Sequence, residues 1–113
     1  MQKTILIYSI IGLSLTNYSQ AATVKDPTPL DFCEIFSKYA KTTMHNRQNG
    51  GEAQTSIRNI LSNTKNKAMQ DYFIAIVKDA YAEPLWVTES NKIKAETEFG
   101  NKVFMDCLNE IRK

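Results

Sequence analysis

Apolar residues recur along the chain at the spacing of an α-helix. The clearest pattern follows the series i, i+3, i+4, i+7, i+8, i+11, i+12 and comprises Met69, Tyr72, Phe73, Ile76, Val77, Ala80 and Tyr81. Residues at this spacing lie on one face of a helix, so we predict a helix here that ends before Pro84. Alternation of apolar and polar residues, which indicates a strand, is absent apart from the short stretch Leu85-Trp86-Val87.

A long first helix is predicted upstream of this pattern. Asp31 stands three residues before Glu34, an acidic variant of the capping box that marks a helix start. The stretch Asn49-Gly50-Gly51 suits a left-handed cap and ends the helix. Its stripe contains Cys33, Phe36, Ala40, Thr43, Met44 and Arg47. Because Arg47 stands where a leucine is expected, its side chain should point inward or along the edge of the bundle.

Two further helices complete the predicted architecture. The face of a short second helix comprises Ala53, Ile57, Ile60 and Leu61, and Ser62-Asn63-Thr64 closes it and can cap the next helix. Thr88 is a suitable cap for the last helix. The stripe of that helix comprises Ile93, Thr97, Gly100, Val103, Phe104, Cys107 and Ile111. Four helices without a convincing strand predict an all-α fold, a small four-helix bundle-like single domain.

The first two dozen residues have the layout of a secretory signal peptide. Lys3 precedes an apolar run of eleven residues, and small residues occupy the −3 and −1 positions of a cleavage site after Ala21. The run is shorter than the roughly 20 residues that a spanning helix needs, so no stable membrane insertion is expected. We therefore predict a signal peptide at residues 1–21.

The rest of the chain divides into a leader and one domain. Pro27 and Pro29 disfavour a helix, so residues 22–29 are predicted as an extended leader and residues 30–113 as the helical domain. Loss of residues 1–21 removes one of the 14 Lys and Arg and none of the 12 Asp and Glu, which leaves 13 − 12 = +1. A charge so balanced gives no electrostatic footprint for nucleic acid.

The two cysteines lie at opposite ends of the predicted domain. Cys33 is near the start of the first helix and Cys107 is near the end of the last. In the oxidising compartment that a signal peptide implies, they most simply form one disulfide that clamps the ends of the fold. The alternative is a redox-active pair, but catalytic pairs usually lie close in sequence at a helix N-terminus. We therefore expect a structural bridge.

No residue cluster indicates catalysis. His45 is the only histidine in the sequence, and it has no nucleophile or acid partner at a suitable spacing. Glu96 and Glu98 are a close carboxylate pair, but residues two apart on a helix diverge. The sequence contains no phosphate-binding loop, zinc motif or nucleophile elbow. We expect no enzymatic activity, no cofactor and no metal.

Four residues remain as a possible partner or structural polar site: Arg47, Gln48, Tyr81 and Trp86. An inward Arg47 must find acceptors, because an unpaired buried charge is costly. The candidate acceptors are carbonyls of the Asn49-Gly50 turn and the carboxylates of Asp79, Glu83 and Glu96. The other interpretation of Arg47 is a contact with an anion or a partner. Tyr81 fits the core, whereas Trp86 suits an interface and the core equally.

The order of these residues resembles a family of short exported proteins. Its motifs are Cys33, then Met44-x-x-Arg47-Gln48-x-Gly50, then Ile76-Val77-x-x-Ala80-Tyr81-x-x-Pro84, then Phe99-x-x-x-Val103-x-x-x-Cys107. Members of this uncharacterised family occur in bacterial and tailed-phage genomes and carry two bracketing cysteines. The resemblance implies export, a helical fold and the disulfide, and it implies no activity.

Two functions are compatible with these features. The first is a small, non-enzymatic interaction module, periplasmic or secreted, that binds an envelope or periplasmic protein and acts as a phage-derived envelope modifier or inhibitor. The alternative is a small helical periplasmic stress or acid chaperone. Protonation of the 12 carboxylates at low pH leaves a positively charged, self-repelling chain. The sequence leaves the choice between them, and the oligomeric state, open.

Overall fold

The computed structural model describes residues 26–111, which contain four helices and no strand. The helices are α1 (Pro29–Gln48), α2 (Ala53–Asn63), α3 (Lys67–Ala82) and α4 (Glu89–Ile111). The predicted all-α fold is confirmed. The predicted signal peptide and the first part of the predicted leader lie outside the described residues. None of the described helices has the length and apolar character needed to cross a membrane.

Helix α1 begins earlier than the sequence indicated. Thr28 is its N-cap: the Thr28 hydroxyl accepts a hydrogen bond from the Asp31 N–H (3.2 Å), and the Thr28 N–H donates to the Asp31 carboxylate (2.8 Å). The predicted capping box of Asp31 and Glu34 is therefore wrong, because Asp31 closes the box instead of opening it. Pro29 is the first helical residue and not part of an extended leader. Proline is favoured at this position because it lacks a backbone N–H, and an N–H there would have no partner within the helix.

The caps of the other helices agree with the sequence in part. The Thr88 hydroxyl accepts from the Asn91 N–H (3.1 Å) and caps α4 as predicted. Helix α3 is capped by Asn66, whose side chain accepts from the Met69 N–H (3.1 Å). The prediction that residues 62–64 cap α3 is wrong, because the Thr64 N–H still bonds back into α2. A cap must lie directly before the first turn, and Asn66 occupies that position.

The predicted disulfide is confirmed. Cys33 and Cys107 are bonded, with 5.5 Å between their Cα atoms, and the bridge closes 74 residues of chain. Cys33 lies in the second turn of α1 and Cys107 lies near the end of α4. The bridge therefore holds the beginning of the first helix against the end of the last.

Helices α1 and α4 are antiparallel and form the most extensive contact of the fold. Below the disulfide, the Ser37 hydroxyl donates to the Gly100 carbonyl (2.9 Å), and near the end of α1 His45 Nδ1 lies 2.9 Å from the Glu96 carboxylate. Residue numbers thus increase along α1 while those of the contacting residues decrease along α4, which is the pattern of an antiparallel pair. Gly100 permits the close approach, because a Cβ there would lie 2.6 Å from Lys41 Cγ.

The core lies where α1 packs against both α3 and α4, while α2 packs on α3. Its buried members are Cys33, Phe36, Ala40, Met44, Ile76, Ala80, Phe99, Val103 and Cys107. An aromatic group joins α1 to α3: Phe36 stacks on Tyr72, with ring centroids 4.2 Å apart, and meets Phe73 edge-on. This packing anchors the predicted stripes of α1 and α3.

The stripe predicted for α4 is right in its middle and wrong at its ends. Ile93, Thr97 and Ile111 are exposed, and Phe99 is buried although the pattern did not include it. Ile93 precedes Glu96, the residue of α4 that faces the last turn of α1, and Ile111 lies one turn beyond the disulfide. The spacing along α4 therefore predicts which residues share a face, but it does not predict which of them the neighbouring helices cover.

Candidate functional site

The four residues of the predicted polar site meet at one end of the molecule. Arg47 and Gln48 form the last turn of α1, Tyr81 lies in the last turn of α3, and Trp86 lies in the segment of residues 83–88 that joins α3 to α4. We call this segment the connector. The arrangement unites two distant parts of the sequence, because hydrogen bonds from Gln48 reach positions 36 and 38 residues further along.

Gln48 holds the connector by its backbone. Its side chain is 2% exposed, its Nε2 donates to the Pro84 carbonyl (2.8 Å), and its Oε1 accepts from the Trp86 N–H (2.8 Å). One amide therefore satisfies a donor and an acceptor of the connector at once, as a neighbouring strand would. A carboxylate or an apolar side chain at this position cannot make both bonds.

Arg47 binds the connector one residue earlier. Its Nε and Nη2 donate to the Glu83 carbonyl (3.3 and 3.0 Å), and its guanidinium carbon lies 5.3 Å from the centre of the Tyr81 ring. The acceptor is a backbone carbonyl and none of the three carboxylates considered from the sequence. Arg47 is half-buried, and Gln48 takes the fully buried place, because the buried positions of α1 continue from Met44 at a spacing of four.

Tyr81 ties the connector to the turn between α1 and α2. Its hydroxyl donates to the Gly51 carbonyl (2.6 Å), and its ring lies below the Arg47 guanidinium. The turn itself needs glycine, since Gly50 has a φ of +90°. The left-handed turn predicted after α1 is confirmed, and it places the Gly51 carbonyl within reach of Tyr81 on α3.

The connector presents apolar side chains to solvent. Leu85, Trp86 and Val87 are 56%, 43% and 93% exposed, and we call these three residues the apolar tip. The buried Gln48 and the half-buried Arg47 hold its backbone by hydrogen bonds, while its apolar side chains are exposed. Trp86 is therefore not a core residue, and the short apolar stretch is not a strand.

A cavity of about 360 Å³ opens beside the apolar tip, and Trp86 is one of its lining residues. Met44, Ala95 and Phe99 contribute apolar surface to its wall. Charged residues of both signs also line it: Glu83, Glu98, Lys94 and Lys102. The cavity, which we call the tip cavity, can take an apolar side chain whose surroundings are polar.

The remaining titratable candidates do not converge on one point. His45 is exposed and pairs with Glu96, whereas the Glu98 carboxylate lies 3.9 Å from Lys94 Nζ. Among residues 26–111, no group of three or more His, Cys, Asp or Glu side chains is placed to hold a metal ion.

The sequence contains a signal for the burial of Gln48. Gln48 follows Ala40 and Met44 at intervals of four, which continues the buried stripe into a polar residue. A buried amide must be hydrogen-bonded, so its burial implies polar partners in another part of the chain.

No protein-family model matches the chain, no curated protein matches its sequence, and no solved structure matches it.

Proposed function

We propose that the protein is an exported binding module that recognises another envelope protein through the apolar tip and the tip cavity. One observation carries this proposal: three apolar residues are exposed on a connector whose backbone is held by a buried glutamine and a half-buried arginine. A free connector would lose conformational freedom on binding. A connector that is already held in place loses less conformational entropy on binding. A larger part of the favourable contact energy therefore remains as binding free energy.

The chemistry of the apolar tip is that of a protein contact. Tryptophan is enriched among the residues that dominate protein interfaces, and a pocket next to such a residue gives the partner a place for its own anchor. Trp86 belongs to the apolar tip and also lines the tip cavity, so one partner surface can contact both. Lysines and glutamates around the cavity supply the polar rim that such contacts have.

The periplasm is the proposed location. A disulfide persists in an oxidising compartment, and the first 21 residues have the layout of a signal peptide. On the resemblance to exported proteins of bacterial and tailed-phage genomes, we propose that the partner is a bacterial envelope protein whose activity the module modifies or inhibits.

The alternative, an acid chaperone, predicts that apolar surface becomes available when acid loosens the fold. The apolar tip is already exposed in the folded protein, which favours the binding module. Dye binding and suppression of aggregation between about pH 7 and pH 2 separate the two. The binding module stays inactive as a holdase throughout, whereas a chaperone gains activity below about pH 4, where carboxylates protonate.

Site-specific cross-linking in the native envelope tests the binding module. A photo-reactive residue in place of Val87, which is 93% exposed, should yield a discrete adduct whose partner is identified by mass spectrometry. The matched control places the same group at Met105, an exposed apolar position of α4 outside the tip. Trp86→Ala should abolish the adduct without changing the melting temperature. Equal adducts from both positions, or an adduct that survives Trp86→Ala, would contradict the proposal.

A further inference from the structure

The connector exposes backbone groups as well as apolar side chains. Among residues 26–111, no group forms a hydrogen bond with the N–H or the C=O of Leu85, or with the N–H of Val87. Both residues are exposed, so these groups lie at the surface and not in the core. Each backbone N–H and C=O is a strong hydrogen-bonding group, so an exposed set of them can bind the backbone of another chain.

The contacts of Gln48 are those of an extended chain. Its amide binds the Pro84 C=O and the Trp86 N–H, and no turn or bend occurs between these two residues. A residue of a parallel neighbouring strand makes the same two contacts, one on each side of the residue that it faces. Successive residues of an extended chain direct their backbone groups to opposite sides. The C=O of Leu85 and the N–H of Val87 therefore point away from Gln48.

The outer edge of the connector thus repeats the pattern of the inner edge. The Leu85 C=O and the Val87 N–H have the same spacing along the chain as the two groups that Gln48 binds, and the Leu85 N–H adds a second donor. A free edge of this kind is a template for an extended chain. Since Gln48 and Arg47 already hold the connector, pairing would cost little further ordering of its backbone.

We propose that the connector binds an extended segment of a partner protein by backbone pairing at Leu85 and Val87, while apolar side chains of that segment pack on the apolar tip. In this mode of recognition, main-chain hydrogen bonds supply affinity and alternate side chains supply specificity. β-Branched and aromatic residues suit the segment, because they favour an extended backbone and pack well across paired strands. The proposal deepens the proposed function and rests on it for the envelope partner.

A second copy of this chain is the competing occupant. Two connectors could pair edge to edge, but this would bring together only the three residues of each apolar tip, of which Leu85 and Trp86 are about half exposed. A stable protein interface buries about 800 Å² per partner, which three such residues do not provide. A flexible segment can also follow the tip cavity, which Trp86 lines. The area available therefore favours a segment of another protein.

The probe is a fluorescein-labelled peptide of about eight residues, the length of an ordinary strand, in which valine and threonine alternate between a terminal lysine and a terminal glutamate. The comparison peptide has the same side chains and carries N-methyl groups on its valines and threonines, which removes the backbone donors. Binding to the oxidised protein without the predicted signal peptide is measured by anisotropy. The unmethylated peptide should bind at least about tenfold more tightly.

Amide hydrogen exchange, followed by NMR, locates the pairing. The Leu85 and Val87 amides should exchange rapidly in the free protein and slowly when the unmethylated peptide is bound. The Trp86 amide, which Gln48 holds, should be protected with and without the peptide. A bound state in which Leu85 and Val87 stay unprotected would overturn the proposal, because contact through side chains alone leaves these amides open to water.

Two substitutions at Val87 separate backbone pairing from side-chain contact. Val87→Pro removes the N–H, keeps an apolar side chain, and breaks no hydrogen bond formed within the described part of the chain. Val87→Ala keeps the N–H and removes most of the side chain. Backbone pairing predicts a loss of peptide affinity of about tenfold for Val87→Pro and of about threefold or less for Val87→Ala, with unchanged melting temperatures. The reverse order would refute it.

Failure of the pairing and failure of the proposed function give different results. If both peptides bind equally, or neither binds, the pairing is refuted, whereas a discrete cross-linked adduct at Val87 still supports the binding module. If the peptide binds as expected and no adduct forms in the envelope, the pairing edge stands and the envelope partner is refuted. A dimer of the protein alone in analytical ultracentrifugation, dissociated by Val87→Pro, would assign the edge to a second copy and overturn the proposal.

Discussion

At the scale of single residues, Gln48 and Arg47 determine the path of the connector. The side chains of both residues form hydrogen bonds with groups outside α1. Both reach backbone groups that follow α3, where Pro84 has ended the helix and left carbonyls without helical partners. The connector therefore has a defined backbone path although it has no regular secondary structure. Because the apolar tip is part of the connector, its backbone is held in the same way.

Replacing Gln48 with methionine should destabilise the protein. Methionine fills a similar volume but leaves the Pro84 carbonyl and the Trp86 N–H without partners in a largely buried place. We expect the free energy of unfolding to fall by about 1–3 kcal/mol, measured by urea denaturation. Gln70→Met is a weaker comparison, since the Gln70 amide makes one bond, to the Thr64 carbonyl. A Gln48 variant as stable as the unchanged protein would contradict the assigned role.

Replacing Arg47 with lysine should also destabilise the protein, because an ammonium group cannot reproduce a planar fork on one carbonyl above a tyrosine ring. We expect a loss of about 0.5–1.5 kcal/mol in the free energy of unfolding. Arg58→Lys, at an exposed position of α2, is the matched control and should change stability little. If Arg47→Lys leaves stability unchanged and lowers only partner binding, Arg47 serves the partner instead of the connector.

At the scale of helices, the periodicity of α1 and α3 predicted most of their buried positions, with Gln48 at the end of α1 as the exception. Phe36, Ala40 and Ile76 are buried as the spacing requires, because each helix packs on a neighbour along most of its length. Helix ends were predicted less well. Thr28 and Asp31 are both good N-caps by residue type, and Pro29 at the first helical position was the signal that favours Thr28.

The candidate site was also only partly predictable. Its four residues lie together, but their roles depend on which backbone groups the connector offers. The acceptors expected for Arg47 were carbonyls of the Asn49-Gly50 turn or a carboxylate, whereas Arg47 binds the Glu83 carbonyl in a segment that has no periodic pattern. The path of such a segment follows from tertiary contacts, so the position of Trp86 at the surface was open from the sequence alone.

The capping box of α1 makes part of the stability dependent on pH. The Thr28 N–H and then the Thr28 hydroxyl hold the pKa of Asp31 below its usual value of 3.8. A carboxyl with a lowered pKa in the folded state stabilises the fold above the unfolded pKa, and this contribution is lost as pH falls through the folded value. Asp31→Asn should therefore lower stability at pH 7, and the difference from the unchanged protein should shrink below about pH 4.

Glu34→Gln is the control for this prediction. Glu34 is exposed on the next turn of α1 and takes no part in the observed capping box, although the sequence-based interpretation had placed it there. Its replacement should change the free energy of unfolding little at any pH. A larger effect for Glu34→Gln than for Asp31→Asn would restore the box that the structure contradicts. Urea denaturation at several pH values measures both.

At the scale of the whole molecule, the disulfide joins the beginning of α1 to the end of α4 and closes 74 residues. The bridge lies near the start of α1, whereas the apolar tip lies at the opposite end of this helix, beside Gln48. Loss of the bridge should therefore affect the start of α1 and the end of α4 more than the apolar tip.

Replacing both cysteines with alanine tests this expectation. Alanine avoids placing hydroxyl groups at two buried positions, which are 0% and 6% exposed. We expect the free energy of unfolding to fall by about 2–4 kcal/mol, because the unfolded chain regains the freedom that a closed loop denies it. The dependence of that free energy on urea should steepen, since an open unfolded chain exposes more surface than a crosslinked one.

Helical circular dichroism of this variant at room temperature should persist, because α1 and α4 remain packed through Phe36, Ala40 and Phe99. The reduced unchanged protein is the control, and it should match the variant in both stability and urea dependence. Amide hydrogen exchange should then rise first at the ends of α1 and α4 nearest the missing bridge, while the Trp86 N–H, held by Gln48, stays protected. An equal increase in amide exchange along all helices would contradict a local role of the bridge at the two helix ends. A free energy of unfolding unaffected by reduction would mean that packing alone keeps these ends together.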